Sequence, residues 1–205
     1  IRTNIEFSTV DKDIKSICIT SSQAGEAKTT LSINLAYIFA TKYNRVLLID
    51  CDLRKNTLHK YMGLSNKHGL TDALLEYRQT KKLNVEYFQS VKDPSFAGTM
   101  AVLTSGIHIP NPSELLGSHV FKDYINELKK SFDFIIIDCA PVGMISDAIP
   151  IRNAVDGTIF AISSQDTNKK DAANCVKLLQ RNNVNVLGSV LTKAKSLSGS
   201  HYYYY

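Results

Sequence analysis

The sequence predicts a three-layer α/β domain, with helices on both faces of a mostly parallel central sheet. Short apolar runs of strand length alternate along the chain with amphipathic stretches of helical period. Two of those runs, residues 46–49 and 134–137, are continuously apolar, as expected of strands covered on both faces. The 205 residues, 44% hydrophobic and 21% charged, are enough for one sizeable core. The same composition excludes disordered, collagen-like and disulfide-scaffold chains.

The elements follow in order. Residues 17–20 read as a short buried strand. Apolar residues at Leu31, Leu35, Ile38 and Phe39 predict a helix from Thr29 to about Lys42, and residues 46–49 are the next strand. Residues 53–100 are more variable, with a short helix over 69–75. Residues 100–103 form a strand. Asn111-Pro112-Ser113-Glu114 starts a helix, with Ser113 as its cap, that runs to about Lys130. Residues 134–137 are a buried strand, and Asp147 caps a short helix after it. Strands over 158–162 and 184–191 flank a helix near 169–181. Strand-helix-strand repetition implies parallel pairing through crossovers. Residues 196–200 are a small-residue linker, and the chain ends on four tyrosines. The expected division is therefore a domain over 1–195 and a flexible tail over 196–205.

A net charge of +5 suits anionic ligands, although charge alone favours the plainer reading of solvated surface lysines. Cys18, Cys51, Cys139 and Cys175 lack metal-type spacing and read as reduced, buried thiols of a cytosolic protein. The five histidines show no ligand spacing, so no zinc site is expected. No apolar run approaches the roughly 20 residues of a membrane span. No helix-turn-helix, zinc spacing or basic-aromatic stripe points to nucleic acid. A start at Ile1, without Met, basic stretch or cleavage site, suggests a trimmed or partial chain rather than a secreted precursor.

Ser22-Gln23-Ala24-Gly25-Glu26-Ala27-Lys28-Thr29 follows the first strand and opens a helix, with Thr30 next. That is the context of a phosphate-binding P-loop, in which backbone N–H groups and a helix N-terminus cradle phosphates. In that pattern Lys28 reaches the β- and γ-phosphates and Thr29 binds Mg²⁺. Ser22 and Ala27 stand where the pattern has glycine. If position 27 needs a positive φ, its Cβ costs about 1–2 kcal/mol. Two buried strands end in carboxylates, Asp50-Cys51-Asp52-Leu53-Arg54 and Asp138-Cys139-Ala140-Pro141. Side chains two apart on a strand share a face, so Asp50 and Asp52 can point the same way. In a parallel sheet these ends lie on one edge, where ligands bind. Three aspartates beside a triphosphate repel one another unless a cation such as Mg²⁺ intervenes.

Together these segments resemble the bacterial tyrosine kinases of capsule and exopolysaccharide synthesis, along almost the whole chain. The 22–29 segment is similar to that family's Walker A. Asp50-Cys51-Asp52-Leu53-Arg54 resembles its diagnostic Walker A′, and Ile137-Asp138-Cys139-Ala140-Pro141 its Walker B, where Thr or Ser is commoner at position 139. The run from Ser105-Gly106 through Pro110-Asn111-Pro112-Ser113-Glu114-Leu115-Leu116 is similar to a further family segment. Arg2-Thr3-Asn4-Ile5 resembles the end of an N-terminal oligomerisation helix. Tyr202, Tyr203, Tyr204 and Tyr205 resemble the C-terminal cluster that such kinases autophosphorylate. An exposed aromatic run after a linker is in any case a poor structural element.

The resemblance implies a P-loop NTPase fold and transfer of the γ-phosphoryl group of ATP to tyrosine, with Mg²⁺ and ATP as cofactors. The implied catalytic set is Lys28, Asp50, Asp52, Arg54 and Asp138. Thr29, Asp50 and Asp138 would hold the metal, and residues 22–30 the nucleotide. Asp52 would accept the tyrosine proton, an assignment made by resemblance rather than spacing. Arg54 would pair with a carboxylate or phosphate, although a plain surface arginine fits equally. The implied partners are ATP and ADP, further copies of the chain in a closed ring that phosphorylation dissolves, and a membrane activator protein. That activator would recruit a cytoplasmic chain to the inner face of the membrane. The 14 residues from Thr192 to Tyr205 span at most ~50 Å, against a radius of gyration of about 17 Å. The tail can therefore reach its own site or a neighbour's. Two rival readings are a catalytically weak ATP-binding scaffold, suggested by Ala27, and a partition-type ATPase. The latter's signature lysine is replaced here by Gln23.

Overall fold

The computed structural model describes residues 1–7, 14–143 and 148–194. The element order is α1 (Arg2–Phe7), β1 (Ser16–Ser21), α2 (Lys28–Ala40), β2 (Arg45–Cys51), α3 (Leu58–Met62) and α4 (Leu70–Thr80). It continues through β3 (Gln89–Val91), β4 (Thr99–Leu103), α5 (Pro112–Leu116), α6 (His119–Ser131), β5 (Phe134–Cys139), β6 (Gly157–Ser163), α7 (Lys169–Arg181) and β7 (Val186–Thr192). Short 3-10 turns lie at Val85–Tyr87 and Pro150–Asn153. The described strands form one sheet in the order β3-β4-β2-β5-β1-β6-β7. Every pairing is parallel except β3 on β4. The carboxyl ends of the six parallel strands therefore meet on one edge, the one to which the sequence assigns the phosphate loop and the strand-end aspartates.

Strand alternation divides the core into two layers. Ile17, Ile19, Val46, Leu48, Met100, Val102, Phe134 and Ile136 turn to one face and pack with Ile5, Leu31, Leu35, Phe39 and Leu58 of the helices. Cys18, Leu47, Ile49, Leu103, Ile135 and Ile137 turn to the other, against α4, α6 and α7. α2 buries Leu31, Leu35, Ala36, Phe39 and Ala40, one stripe at helical spacing. Phe39 stacks on Phe134 with centroids 4.2 Å apart. Each such aliphatic or aromatic side chain, fully buried, contributes roughly 1.5–3 kcal/mol.

The predicted helix over 112–130 is two helices. α5 starts at Pro112 after Asn111, so Ser113 lies inside it and does not cap it. Gly117 ends it, and Ser118 opens α6 by accepting the Phe121 N–H at 3.2 Å. The last strand starts at Val186, two residues later than expected. Asp147 lies outside the described residues. Neither α3 nor the antiparallel β3 was expected. The loop after β4 is clasped to the start of α4: Leu70 N–H donates to the Thr104 carbonyl at 2.7 Å, and Asn66 Oδ1 accepts from Gly106 N–H at 3.0 Å.

At the amino edge of the sheet, Asp156 ties the start of β1 to the turn before β6. Its Oδ2 accepts from Lys15 N–H at 3.0 Å, Ser16 N–H at 2.9 Å and Ser16 Oγ at 2.9 Å, while Lys129 Nζ lies 2.7 Å from Oδ1. Burial alone would raise the Asp156 pKa, but Lys129 and these donors hold it below the ordinary value. Tyr124 is buried edge-on to Tyr77, and its hydroxyl has no hydrogen-bond partner among the described residues. Among the described residues no helix is long and apolar enough to cross a membrane.

Candidate active site

The loop between β1 and α2 bends twice in the left-handed sense, at Gly25 (φ 86°) and at Ala27 (φ 62°, ψ 28°). The expected positive φ at position 27 is therefore present, carried by a residue with a Cβ. Loops of this kind turn successive N–H groups toward one concavity and make anion-binding nests. Ala27 immediately precedes α2, whose first turn holds Lys28, Thr29 and Thr30, so the helix N-terminus adds favourable potential for an anion.

A cavity of about 370 Å³ opens on this loop. Ala24, Gly25, Ala27, Lys28, Thr29 and Thr30 line it from the loop side, facing Asp52, Lys55, Thr57, Tyr61 and Lys193. Behind this lining, strand register brings two more carboxylates together. Asp50 on β2 and Asp138 on β5 are direct neighbours in the ladder, and both are buried. Ser32 Oγ donates to Asp138 Oδ1 at 3.0 Å, and the Thr29 hydroxyl also bonds to Asp138. Asp50 Oδ1 accepts the Asp52 N–H at 3.1 Å, and Asp52 Oδ1 accepts the Lys55 N–H at 3.0 Å. The other Asp50 oxygen, Oδ2, is buried and has no hydrogen-bond partner among the described residues.

The electrostatics follow from this crowding. Burial pushes the Asp50 carboxyl well above the usual range, and the charges of Asp138 and Asp52 push it further. Burial likewise raises Asp138 to about 6, against the opposing pull of Thr29, Lys28 and Ser32. These carboxylates await positive charge. Among the described residues no cluster of three or more His, Cys, Asp or Glu side chains is arranged to hold a metal alone. Mg²⁺ does not ask for that, since it binds through one or two carboxylates, waters and substrate phosphates. The partnerless Asp50 oxygen beside Asp138, with the Thr29 hydroxyl adjoining, fits such an ion.

Ser22, Gln23 and Glu26 complete the loop from behind. Glu26 is fully buried. Its carboxylate accepts from Ser22 Oγ at 2.8 Å, from Gln23 N–H at 2.8 Å and from the Thr167 hydroxyl. Burial alone would raise its pKa, but these hydrogen bonds outweigh burial and hold it below the ordinary value. Arg54 stands exposed on the turn after β2, and the cavity lining passes instead to the next residue, Lys55. Cys51 and Cys139 do not flank the phosphate site. Alternation turns them to the opposite sheet face, where they are buried with Cys18 as core fillers. Thr57, Tyr61, Lys193 and Thr167 were not anticipated. The only sequence signal for Lys193 was its place just after the last strand. Tyr202, Tyr203, Tyr204 and Tyr205 lie outside the described residues.

A family model described as an AAA domain matches residues 14–190. The chain is 42% identical, over its whole length and 83% of the relative, to the tyrosine-protein kinase YwqD of Bacillus subtilis. It is 35% identical, over 93% of its length and 80% of the relative, to the tyrosine-protein kinase CpsD of Streptococcus pneumoniae. The crystal structure of the chimerical protein CapA2B2 superposes with a TM-score of 0.82 at 32% identity, covering 93% of this chain and 80% of that one. The kinase domain of the Escherichia coli tyrosine kinase ETK gives 0.79 at 27% identity, covering 100% and 77%. A ParA family ATPase from Chlorobium tepidum, 15% identical, gives 0.71 over 89% and 75% and shares the fold alone.

Proposed function

The chain belongs to the bacterial tyrosine-protein kinase family and is a kinase domain on a nucleotide-binding P-loop fold, and from that premise we propose that it phosphorylates its own C-terminal cluster, Tyr202–Tyr205, between subunits. Residues 1–195 act as the kinase domain and 196–205 as the substrate tail. The observation that carries this reading is the meeting of Lys28, Thr29 and Asp52 on one cavity at the carboxyl edge of the sheet.

The loop N–H groups and Lys28 hold the phosphates of ATP. Thr29, Asp50 and Asp138 would hold Mg²⁺ directly or through water, and the ion would supply charge neutralisation at the phosphoryl group being transferred. Asp52 lines the cavity, whereas Asp50 and Asp138 lie outside its lining and are more deeply buried. It is therefore the carboxylate best placed to accept the proton of an incoming tyrosine hydroxyl, whose pKa is near 10. The O–P bond to the tyrosine forms as the bond to the ADP leaving group breaks, and the products are ADP and phosphotyrosine. Arg54, exposed beside this site, pairs with phosphate or with a neighbouring subunit's carboxylate.

Lys193 lines the cavity, and Tyr202 follows nine residues later in the chain. That length reaches ~30 Å at most, enough to leave one subunit and enter the next in a ring. Added phosphate charge on a tail docked beside three aspartates would then loosen the ring. A membrane activator protein recruits the chain to the inner face of the membrane, where the cycle regulates capsular or exopolysaccharide synthesis. The scaffold reading loses its motive, because Ala27 adopts the left-handed bend that a glycine would supply.

The test is phosphotyrosine mapping by mass spectrometry on the purified chain with Mg²⁺ and ATP. Label should appear on Tyr202–Tyr205, rise more than linearly with chain concentration and vanish in Lys28→Met. Tight ATP binding without any phosphotyrosine, at concentrations where subunits associate, would refute the autokinase reading.

A further inference from the structure

Six of the seven residues from Ala24 to Thr30 line the cavity, and Glu26 is the exception. It lies between the two left-handed residues, Gly25 and Ala27, with its side chain turned behind the loop and fully buried. Three of its bonds have been described. Ser22 and Gln23 stand at the start of the loop, so the carboxylate closes the loop end to end. Thr167 belongs to the turn after β6, and its own Oγ1 is fixed by the Ser163 N–H at 2.8 Å. A fourth bond acts on the backbone. Thr192, the last residue of β7, donates its hydroxyl to the Glu26 carbonyl at 2.9 Å, with the Ile162 carbonyl as a second acceptor at 3.2 Å.

The carbonyl of residue 26 belongs to the peptide unit that joins it to Ala27. Thr192 holds that unit in one orientation, and the carboxylate contacts fix the residue that carries it. An L-residue with a Cβ rests in the left-handed region at a cost of about 1–2 kcal/mol, which contacts such as these offset. A glycine at position 27 would need less help.

We propose that Glu26, held by Thr167 and Thr192, is a positioning residue for nucleotide binding, which keeps Ala27 in the left-handed bend that the phosphate cradle requires. The chain thereby replaces a glycine's freedom with a clamp from two other strand ends. The turn after β6 and the end of β7 thus set the shape of a loop that follows β1. This inference rests on the reading of the cavity as an ATP site and names what preorganises it.

The experiment measures ATP affinity by calorimetry in Mg²⁺, together with kcat and KM for tail phosphorylation. The variants are Glu26→Gln, Thr192→Val and Thr167→Val, each alone and combined with Ala27→Gly. The threonine variants change little volume, so they remain informative if Glu26→Gln does not fold. Each single variant should weaken ATP binding at least fivefold and raise KM for ATP, with kcat at saturating ATP within about twofold of the parent. Adding Ala27→Gly should restore at least threefold of the lost affinity, more than it gains in the parent chain, and should do so in the threonine variants whose Tm is unchanged, where no general destabilisation is there to be relieved. Unchanged affinity in both threonine variants, or no rescue by Ala27→Gly, would overturn the clamp. A parent chain that binds no ATP would instead refute the nucleotide reading itself, before any variant is compared.

Discussion

Replacing Ala27 by glycine should stabilise the nucleotide-free chain. The residue sits at φ 62° and ψ 28°, where a Cβ crowds the following carbonyl at a cost of about 1–2 kcal/mol. Glycine removes that cost, but its wider freedom in the unfolded chain takes back about 0.4–1 kcal/mol. At mid-range values the net gain is about 0.8 kcal/mol. In a chain of 205 residues each kcal/mol moves Tm by roughly 2–4 °C, so the expected rise is about 2–3 °C. Scanning calorimetry and urea unfolding at pH 7, without nucleotide, measure it. The urea midpoint should rise while the slope m stays unchanged, since the surface exposed on unfolding is the same. A Tm equal to or below that of the parent would refute the reasoning. It would mean that the Ala27 methyl makes contacts worth more than the backbone strain.

Three other outcomes are expected. Asp138 titrates at about 6 in the fold against an ordinary 3.8. The folded state thus keeps a proton that the unfolded chain has released, and stability falls as pH rises through that window. At about 1.36 kcal/mol per pH unit the loss amounts to about 3 kcal/mol, and Asp50 adds to it in the same direction. Chemical unfolding in chelator between pH 4 and 7.5 should show the decline, and Asp138→Asn should flatten it; a rising curve would contradict the burial argument. Asp156→Ala strips the acceptor from two backbone N–H groups, Ser16 Oγ and Lys129, and should cost about 2–4 kcal/mol in urea unfolding at pH 7. Its folded pKa is lowered, so its contribution is present above 3.8 and lost as pH falls below that value; the variant should approach the parent's stability in acid. Tyr124→Phe removes a buried hydroxyl without a partner and should be neutral or stabilising by up to about 1 kcal/mol. A fall in Tm of several degrees would reveal a hydrogen bond at that hydroxyl.

Most of the parallel sheet was legible because its strands are short, continuously apolar and spaced by helical stripes. The phosphate loop was legible because its residue types, its place after β1 and the strand-end aspartates agree. β3 was not, since Gln89-Ser90-Val91 has no strand pattern of its own and owes its form to the β4 edge. α3 has only five residues, too few to show a period. The break between α5 and α6 did carry a signal in Gly117-Ser118, but the apolar spacing on either side concealed it. At the site, neighbouring residues in the chain were read well and distant ones were not. Thr167, Thr192 and Lys193 reach the loop only because β6 and β7 lie in order beside β1. Only the folded cavity separates Asp52, which lines it, from Asp50, which does not, and spacing alone places the two alike.

The thiols of Cys18, Cys51 and Cys139 sit on β1, β2 and β5, the three strands whose ends carry the phosphate loop and the aspartates. All three are at most 1% exposed. A thiol reagent cannot reach them unless the strands part or the helices that cover this sheet face lift away. Their modification rate is therefore a built-in clock for opening of the catalytic half of the sheet, readable without any engineered label. Cys175, on α7 and 7% exposed, keeps separate time for the outer helix layer. Slower modification of the inner three on addition of ATP, with Cys175 unchanged, would measure how far nucleotide binding tightens the strands beneath it.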